Sequence, residues 1–151
     1  MEQELSEKEE KKEYLWRYQR ASKKVDQRAE ELALLISMTY QSGKTNDGMP
    51  HGSSARKDLS WYMAEKERLE KKLDEETEKC MKIYREIMDC IEKLEDRERK
   101  VLFQRYIVAD DWETIAKKMS ICTRQVYRIH GNALKNLEIS EKCQSMSVGC
   151  Q

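Results

Sequence analysis

Proline and phenylalanine each occur once in the 151 residues, and glycine occurs only five times. Few backbone breakers leave little to interrupt long helices, and 38% charged residues supply the surface ion pairs such helices carry. No apolar run exceeds the neighbourhood of "LALLISM", far too short to cross a bilayer. The acid-rich opening "MEQELSEKEEKKE" fits neither a secretory signal nor a transit peptide. Cysteine is present five times, at 80, 90, 122, 143 and 150, an odd number with no C-x-x-C pair. That usage suits a reduced compartment, and the expected location is the cytoplasm. His51 and His130 lie far apart, which gives no metal-ligand spacing. No nucleophile has a neighbouring base, and Gly43-Lys44-Thr45 lacks the first glycine and preceding strand of a phosphate-binding loop. These absences argue against an enzyme and against a cofactor.

What remains is an all-α chain with a thin core, better suited to elongated helices than to several buried layers. A capping box, Ser6 with Glu9, predicts the first helix start. Its apolar stripe runs Tyr14, Tyr18, Ala21, Val25, Leu32 and Leu35 at near 3.5-residue spacing. Residues 41–55 hold Gly43, Gly48, Gly52 and the only proline, and read as a flexible linker. A second helix is expected from Arg56 to Leu94, with the heptad seam Leu59, Tyr62, Lys66, Leu69, Leu73, Glu76, Cys80, Ile83, Ile87, Cys90 and Leu94. Nine of these eleven are apolar, so the seam needs a partner. The candidates are the first helix, folded back as an antiparallel hairpin, and a second copy docked as a homodimer through residues 59–94. The expected organisation is a coiled-coil-like helical hairpin over 1–95, a three-helix bundle over 96–137 and a disordered tail over 138–151.

The net charge of zero conceals an asymmetry. Residues 59–95 carry eight basic and eleven acidic side chains, net −3, whereas residues 96–137 carry nine and five, net +4. Within the basic block, Val101, Leu102 and Tyr106 share one side of a first helix. Asp111 stands where a cap is needed for "WETIAKKM". Trp112, Ile115, Ala116 and Met119 then fall on one buried face. "SIC" is a turn with Ile121 as an apolar plug, and a last helix follows from Thr123 to about Leu137. Val126, Ile129, Ala133, Leu134 and Leu137 face inward. At 100° per residue Arg124, Arg128, Gly131 and Lys135 face outward, flanked by Gln125, Tyr127 and Asn132. His130 falls at the inward edge and reads as a structural histidine. Helix, tight turn and basic-faced helix together predict a helix-turn-helix whose second helix enters the major groove. Arginine and glutamine suit guanine and adenine edges, while Lys117, Lys118 and Lys135 suit phosphates.

The stretch "LEDRERKVLFQRYIVADDWETIAKKMSICTRQVYRIHGNALKNL", Leu94 to Leu137, resembles the C-terminal region 4 of sigma-70-type transcription factors. The shared features are "RER-x-VL" opening the first helix, "IA-x-x-M" in the second and "AL-x-x-L" in the third. The longer frame is similar to small sigma-like proteins of phages and prophages of Gram-positive bacteria, of the autolysin-regulator and late-gene activator type. The resemblance implies a transcription regulator that binds double-stranded DNA, with Thr123, Arg124, Gln125, Tyr127 and Arg128 facing the groove and bacterial RNA polymerase as a further partner. Two positions depart from the pattern: Ser120 replaces the usual glycine of the turn, and Cys122 replaces the usual Ser or Thr cap. The weak cysteine cap predicts that Thr123 takes over and shifts the helix start by one residue. Residues 1–95 do not read as the promoter-melting domain of a complete sigma factor. The rival expectation is a helical adaptor that uses the coiled-coil half and reads no DNA sequence.

Overall fold

The computed structural model describes residues 2–42 and 54–139, with side chains placed over 6–40 and 59–139. It is all-α, with no strand among the described residues. Helix α1 is Glu2–Ser42, α2 is Ser54–Ile91, α3 is Asp96–Leu102, α4 is Trp112–Met119 and α5 is Thr123–Asn136. No helix among the described residues is long and apolar enough to cross a membrane.

Several sequence boundaries shift, among them the end of α2, which stops at Ile91 and not at Leu94. Helix α1 already begins at Glu2, so Ser6 lies inside it and does not cap it. Favourable helix formers precede Ser6, and nothing among them stops the helix from extending. The expected linker 41–55 is helical at both ends, through Ser42 and from Ser54, and its remainder lies outside the described residues. So does the tail beyond residue 139.

The chain forms two compact units, and their division does not fall at residue 95. One unit takes in the chain up to Arg20 together with everything from Met81 onward; the other is Ala21–Cys80. The reason is a shared core. Tyr14 and Leu15 from α1, Ile87, Cys90 and Ile91 from α2, Leu102 and Tyr106, and Ala133, Leu134 and Leu137 at the chain's last described turns form one buried cluster. Leu15, Ile87, Ile91 and Leu102 are completely excluded from solvent. Here α1 is flanked by α2 on one side and by the short helices on the other, so it buries a wider arc than a two-helix seam requires. Within this unit α1 and α2 run antiparallel: Tyr14 meets Cys90 (Oη to Sγ 3.8 Å), Arg17 pairs with Glu86 at 3.1 Å, and Tyr18 lies 5.6 Å from the Tyr84 ring.

The second unit is thinner. Leu69 and Cys80 are buried in it, and Val25, Leu32, Leu35, Tyr62 and Leu73 are half-buried. Burial pushes the Cys80 thiol pKa up, as does the charge of Asp26 on the opposite helix, while Arg68 is held mainly by its hydrogen bond to Glu65, with a smaller contribution from the charge of Glu31. The order of these neighbours along the chain, Asp26 with Cys80 and Glu31 with Arg68, is that of an antiparallel pair here as well. The ion pairs of this unit are local, such as Arg28–Glu31 and Lys66–Glu70, and decorate the wet faces.

Candidate nucleic-acid interface

The site is built from α3, α4 and α5. Helix α3 does not stop at Leu102 but widens into a π-helical turn, Phe103–Ile107, closed by Val108 N–H donating to the Phe103 carbonyl at 3.1 Å. Such turns leave carbonyls without helical partners. Gln19 of α1 supplies them, its side-chain amide donating to the Tyr106 and Ile107 carbonyls at 3.1 and 2.8 Å. Arg105 leaves this turn and stacks on two indoles, 4.4 Å from the Trp112 centroid and 5.4 Å from that of Trp16, while donating to the Asp110 carbonyl at 3.0 Å.

Asp111 caps α4 as its position predicts, accepting from Thr114 N–H at 2.9 Å. These hydrogen bonds hold its carboxyl pKa below the usual aspartate value. Ile115 and Ala116 are buried against Val101 and Val126, with Trp112, Met119, Ile121 and Ile129 packed around them. The exit from α4 is a Schellman turn: Ser120 N–H donates to Lys117 and Ile121 N–H to Ala116. It requires a left-handed residue, and Ser120 takes that place at φ 55°, ψ 41°. Ile121 then folds onto the cluster as the plug the sequence suggests.

Cys122 is the residue preceding α5, extended at φ −78°, ψ 154°, and its side chain makes no capping bond. The helix nevertheless begins at Thr123, so the expected one-residue shift does not occur. The Cys122 carbonyl accepts from Gln125 and Val126 N–H at 3.0 and 3.2 Å, which starts the helix without a side-chain cap.

Helix α5 has two distinct faces. Val126, His130, Ala133 and Leu134 are buried. His130 Nε2 lies 2.9 Å from Tyr106 Oη. Burial pushes the histidine pKa down to about 4, helped by the nearby positive charges of Lys12 and Arg105. Burial likewise pushes the Tyr106 pKa up to about 12. Both groups therefore stay neutral at pH 7, and a ring protonated on Nδ1 accepts from the phenol. At the far end Asn136 donates to the buried Glu98 at 2.9 Å.

On the other face Arg124, Gln125, Tyr127, Arg128, Asn132 and Lys135 are exposed. Neither Arg124 nor Arg128 has a charged partner among the described residues. Tyr127 leans on Trp112 with ring centroids 4.8 Å apart, which links it through Arg105 to Trp16. Thr123 is half-buried at the helix start. Lys117 is exposed and joins Thr123 and Gln125 along an open cleft of about 670 Å³ beneath the turn, with Glu113 at its edge. Lys118 is placed differently from its neighbour. It is held by Asp110 at 2.5 Å and by Gln104 at 3.0 Å, so its charge is largely spent on the loop before α4.

No family model, curated protein or solved structure matches this chain. The site therefore has to be read from its own chemistry. That chemistry is a helix with two guanidinium groups that have no charged partner among the described residues, two side-chain amides, a phenol and a lysine on one face. These are hydrogen-bond donors and forks of the kind that grip base edges and phosphates. The sequence reading missed Gln19, Trp16 and Arg105, which hold the turn and the helix in place. Their partners lie some eighty or more residues away in the chain, or depend on a π turn that no local pattern announces.

Proposed function

We propose that the protein is a sequence-specific DNA-binding transcription regulator of the phage or prophage type, with α4 and α5 as its helix-turn-helix and α5 in the major groove. The single observation that carries this reading is the two-sidedness of α5. Val126, His130, Ala133 and Leu134 on its inner side are buried to 7% exposure or less, while Arg124 and Arg128 are exposed on the outer side of a helix fixed by a tight turn. In the proposed complex, Arg124, Gln125, Arg128 and Asn132 read base edges. Lys117 and Lys135 neutralise phosphates, Thr123 anchors the helix start and Tyr127 packs against the groove wall. Lys118 contributes only through the residual field left by Asp110. The basic excess of the block strengthens association and makes it salt-sensitive. RNA polymerase is a further proposed partner, one that would supply the binding energy a single short reading helix lacks.

Selection of bound sequences from a random DNA pool, followed by titration across salt, tests the proposal. A preferred site should emerge, with affinity falling steeply as salt rises. Arg128→Ala should relax preference at one base position at a cost of about 1–3 kcal/mol. Lys117→Ala should weaken all sequences alike and reduce the salt slope by about one. Weak, equal binding to every sequence, unchanged by Arg128→Ala, would instead favour a helical adaptor.

A further inference from the structure

In the unit Ala21–Cys80, α1 carries more apolar surface than α2 can cover. The inner seam, Arg28, Leu32, Leu35 and Thr39, is at least partly buried. A second seam lies beside it: Ala29, Ala33, Ile36 and Tyr40, spaced four, three and four residues apart and all exposed, with Ile36 at 41% and Tyr40 at 80%. That spacing is the knobs-into-holes repeat of a helix meeting another helix, and the two alanines permit close approach. No helix among the described residues of this unit occupies it. At 100° per residue the seam faces the same side of the antiparallel pair as Leu59 and Met63 of α2, which are 62% and 56% exposed.

Charge is missing where it would be expected. No charged residue occurs from Leu32 to Tyr40 or from Leu59 to Ala64, in a chain that is 38% charged. The end of the unit is therefore uncharged all round: Leu34, Met38 and Trp61 are exposed on one face, and the other face carries the continuous row Ala29, Ala33, Ile36 and Tyr40 beside Leu59 and Met63. We propose that this face is the contact between two copies of the chain, which pack as an isologous four-helix bundle around a two-fold axis.

Three points favour a second copy over other occupants. A two-fold operation sets the α1 seam against its own equivalent, and a 4-3-4 apolar row with small residues at one end complements itself in antiparallel orientation. The four large exposed side chains offer on the order of 500 Å² per protomer, which brings a pair close to the roughly 1,000 Å² total expected of a specific interface. The intervening segment "GKTNDGMPHGS" has only Met49 and Pro50 as sizeable apolar residues and is too polar to cover the face itself. The heptad seam over residues 59–94 was the sequence's candidate for a homodimer contact, beside the intramolecular hairpin. Its residues Leu69, Cys80, Ile87, Cys90 and Leu94 are buried within the single chain, and of its large side chains Leu59 is the exposed one, beside the 29–40 row. The inference does not depend on the DNA reading.

Sedimentation equilibrium of the full reduced chain tests it. The wild-type protein should sediment as a dimer. Ile36→Glu and, independently, Ala33→Glu should weaken the dimer at least about 100-fold. Both positions are exposed in the single chain, so helix content by circular dichroism should stay unchanged. Leu34→Glu and Trp61→Glu, exposed on the opposite side of the pair, should leave the dimer intact. A wild-type chain that stays monomeric up to about 100 µM would overturn the proposal. So would a dimer indifferent to both Ile36→Glu and Ala33→Glu, or one broken by Trp61→Glu alone.

Discussion

Ser120 shows how one side chain can be tolerated where another would serve better. Its left-handed backbone is required by the Schellman turn, and its Cβ meets the steric resistance that glycine lacks. Ser120→Gly should stabilise the protein by about 1 kcal/mol, part of the left-handed penalty being offset by the greater freedom of glycine in the unfolded chain. Chemical denaturation should show a later midpoint with an unchanged slope. Because the turn geometry is kept, the exposed face of α5 should keep its arrangement and any DNA affinity should be unaltered. Cys122 illustrates the complementary case: a weak capping residue does not move the helix start, because the backbone and the folded plug at Ile121 already fix it.

At the level of the element, the π turn between α3 and α4 depends on a side chain from α1. Gln19→Leu would leave the Tyr106 and Ile107 carbonyls without their donor, at a cost of about 1–3 kcal/mol. Faster amide exchange is expected at Val108 and Asp110, whose N–H groups close that turn. Unchanged stability and exchange would show that water replaces the amide freely. The short helices themselves were readable in advance. Ile115, Ala116, Val126, Ala133 and Leu134 repeat at helical spacing, and all are buried. Asp111 sits at the cap because it directly precedes the first helical residue, where its carboxylate reaches the Thr114 N–H. Gln19 carried no such signal, since a glutamine on a helix rich in Glu and Lys looks like any solvated position. Leu15 was equally silent: it falls outside the 3.5-residue stripe of α1 and is buried only because a third helix layer covers that side. Local periodicity reports one buried face, and where a helix is flanked twice it reports half of the truth.

At the scale of the molecule, the charge balance gives little warning of how pH acts. His130 has an ordinary pKa of 6.5 when unfolded and about 4 when folded. Between those values the unfolded chain takes up a proton that the folded chain refuses. Stability is therefore fully present above about pH 6.5 and falls as pH drops toward 4, by on the order of 2–3 kcal/mol. Thermal denaturation across that range should show the decline. His130→Gln, which keeps a polar group beside Tyr106 but cannot take up a proton, should flatten it. Below pH 4 the capping carboxylate of Asp111, whose pKa is depressed, adds a further loss as it protonates. The fold class was visible in the scarcity of breakers, but the division into units was not. The basic composition begins at residue 96 while the packing reaches back to Tyr14, because side-chain volume and not charge decides which segments share a core.

That shared core has a consequence for the order of events during synthesis. Leu15 leaves the ribosome long before Leu134 and Leu137, which help enclose it. A nascent chain must keep this leucine waiting until α5 is made, and joining its early and late segments costs closure entropy before any contact repays it. An excised fragment of residues 96–137 would meet the same problem permanently, with Tyr106 and Leu134 facing water where α1 should lie.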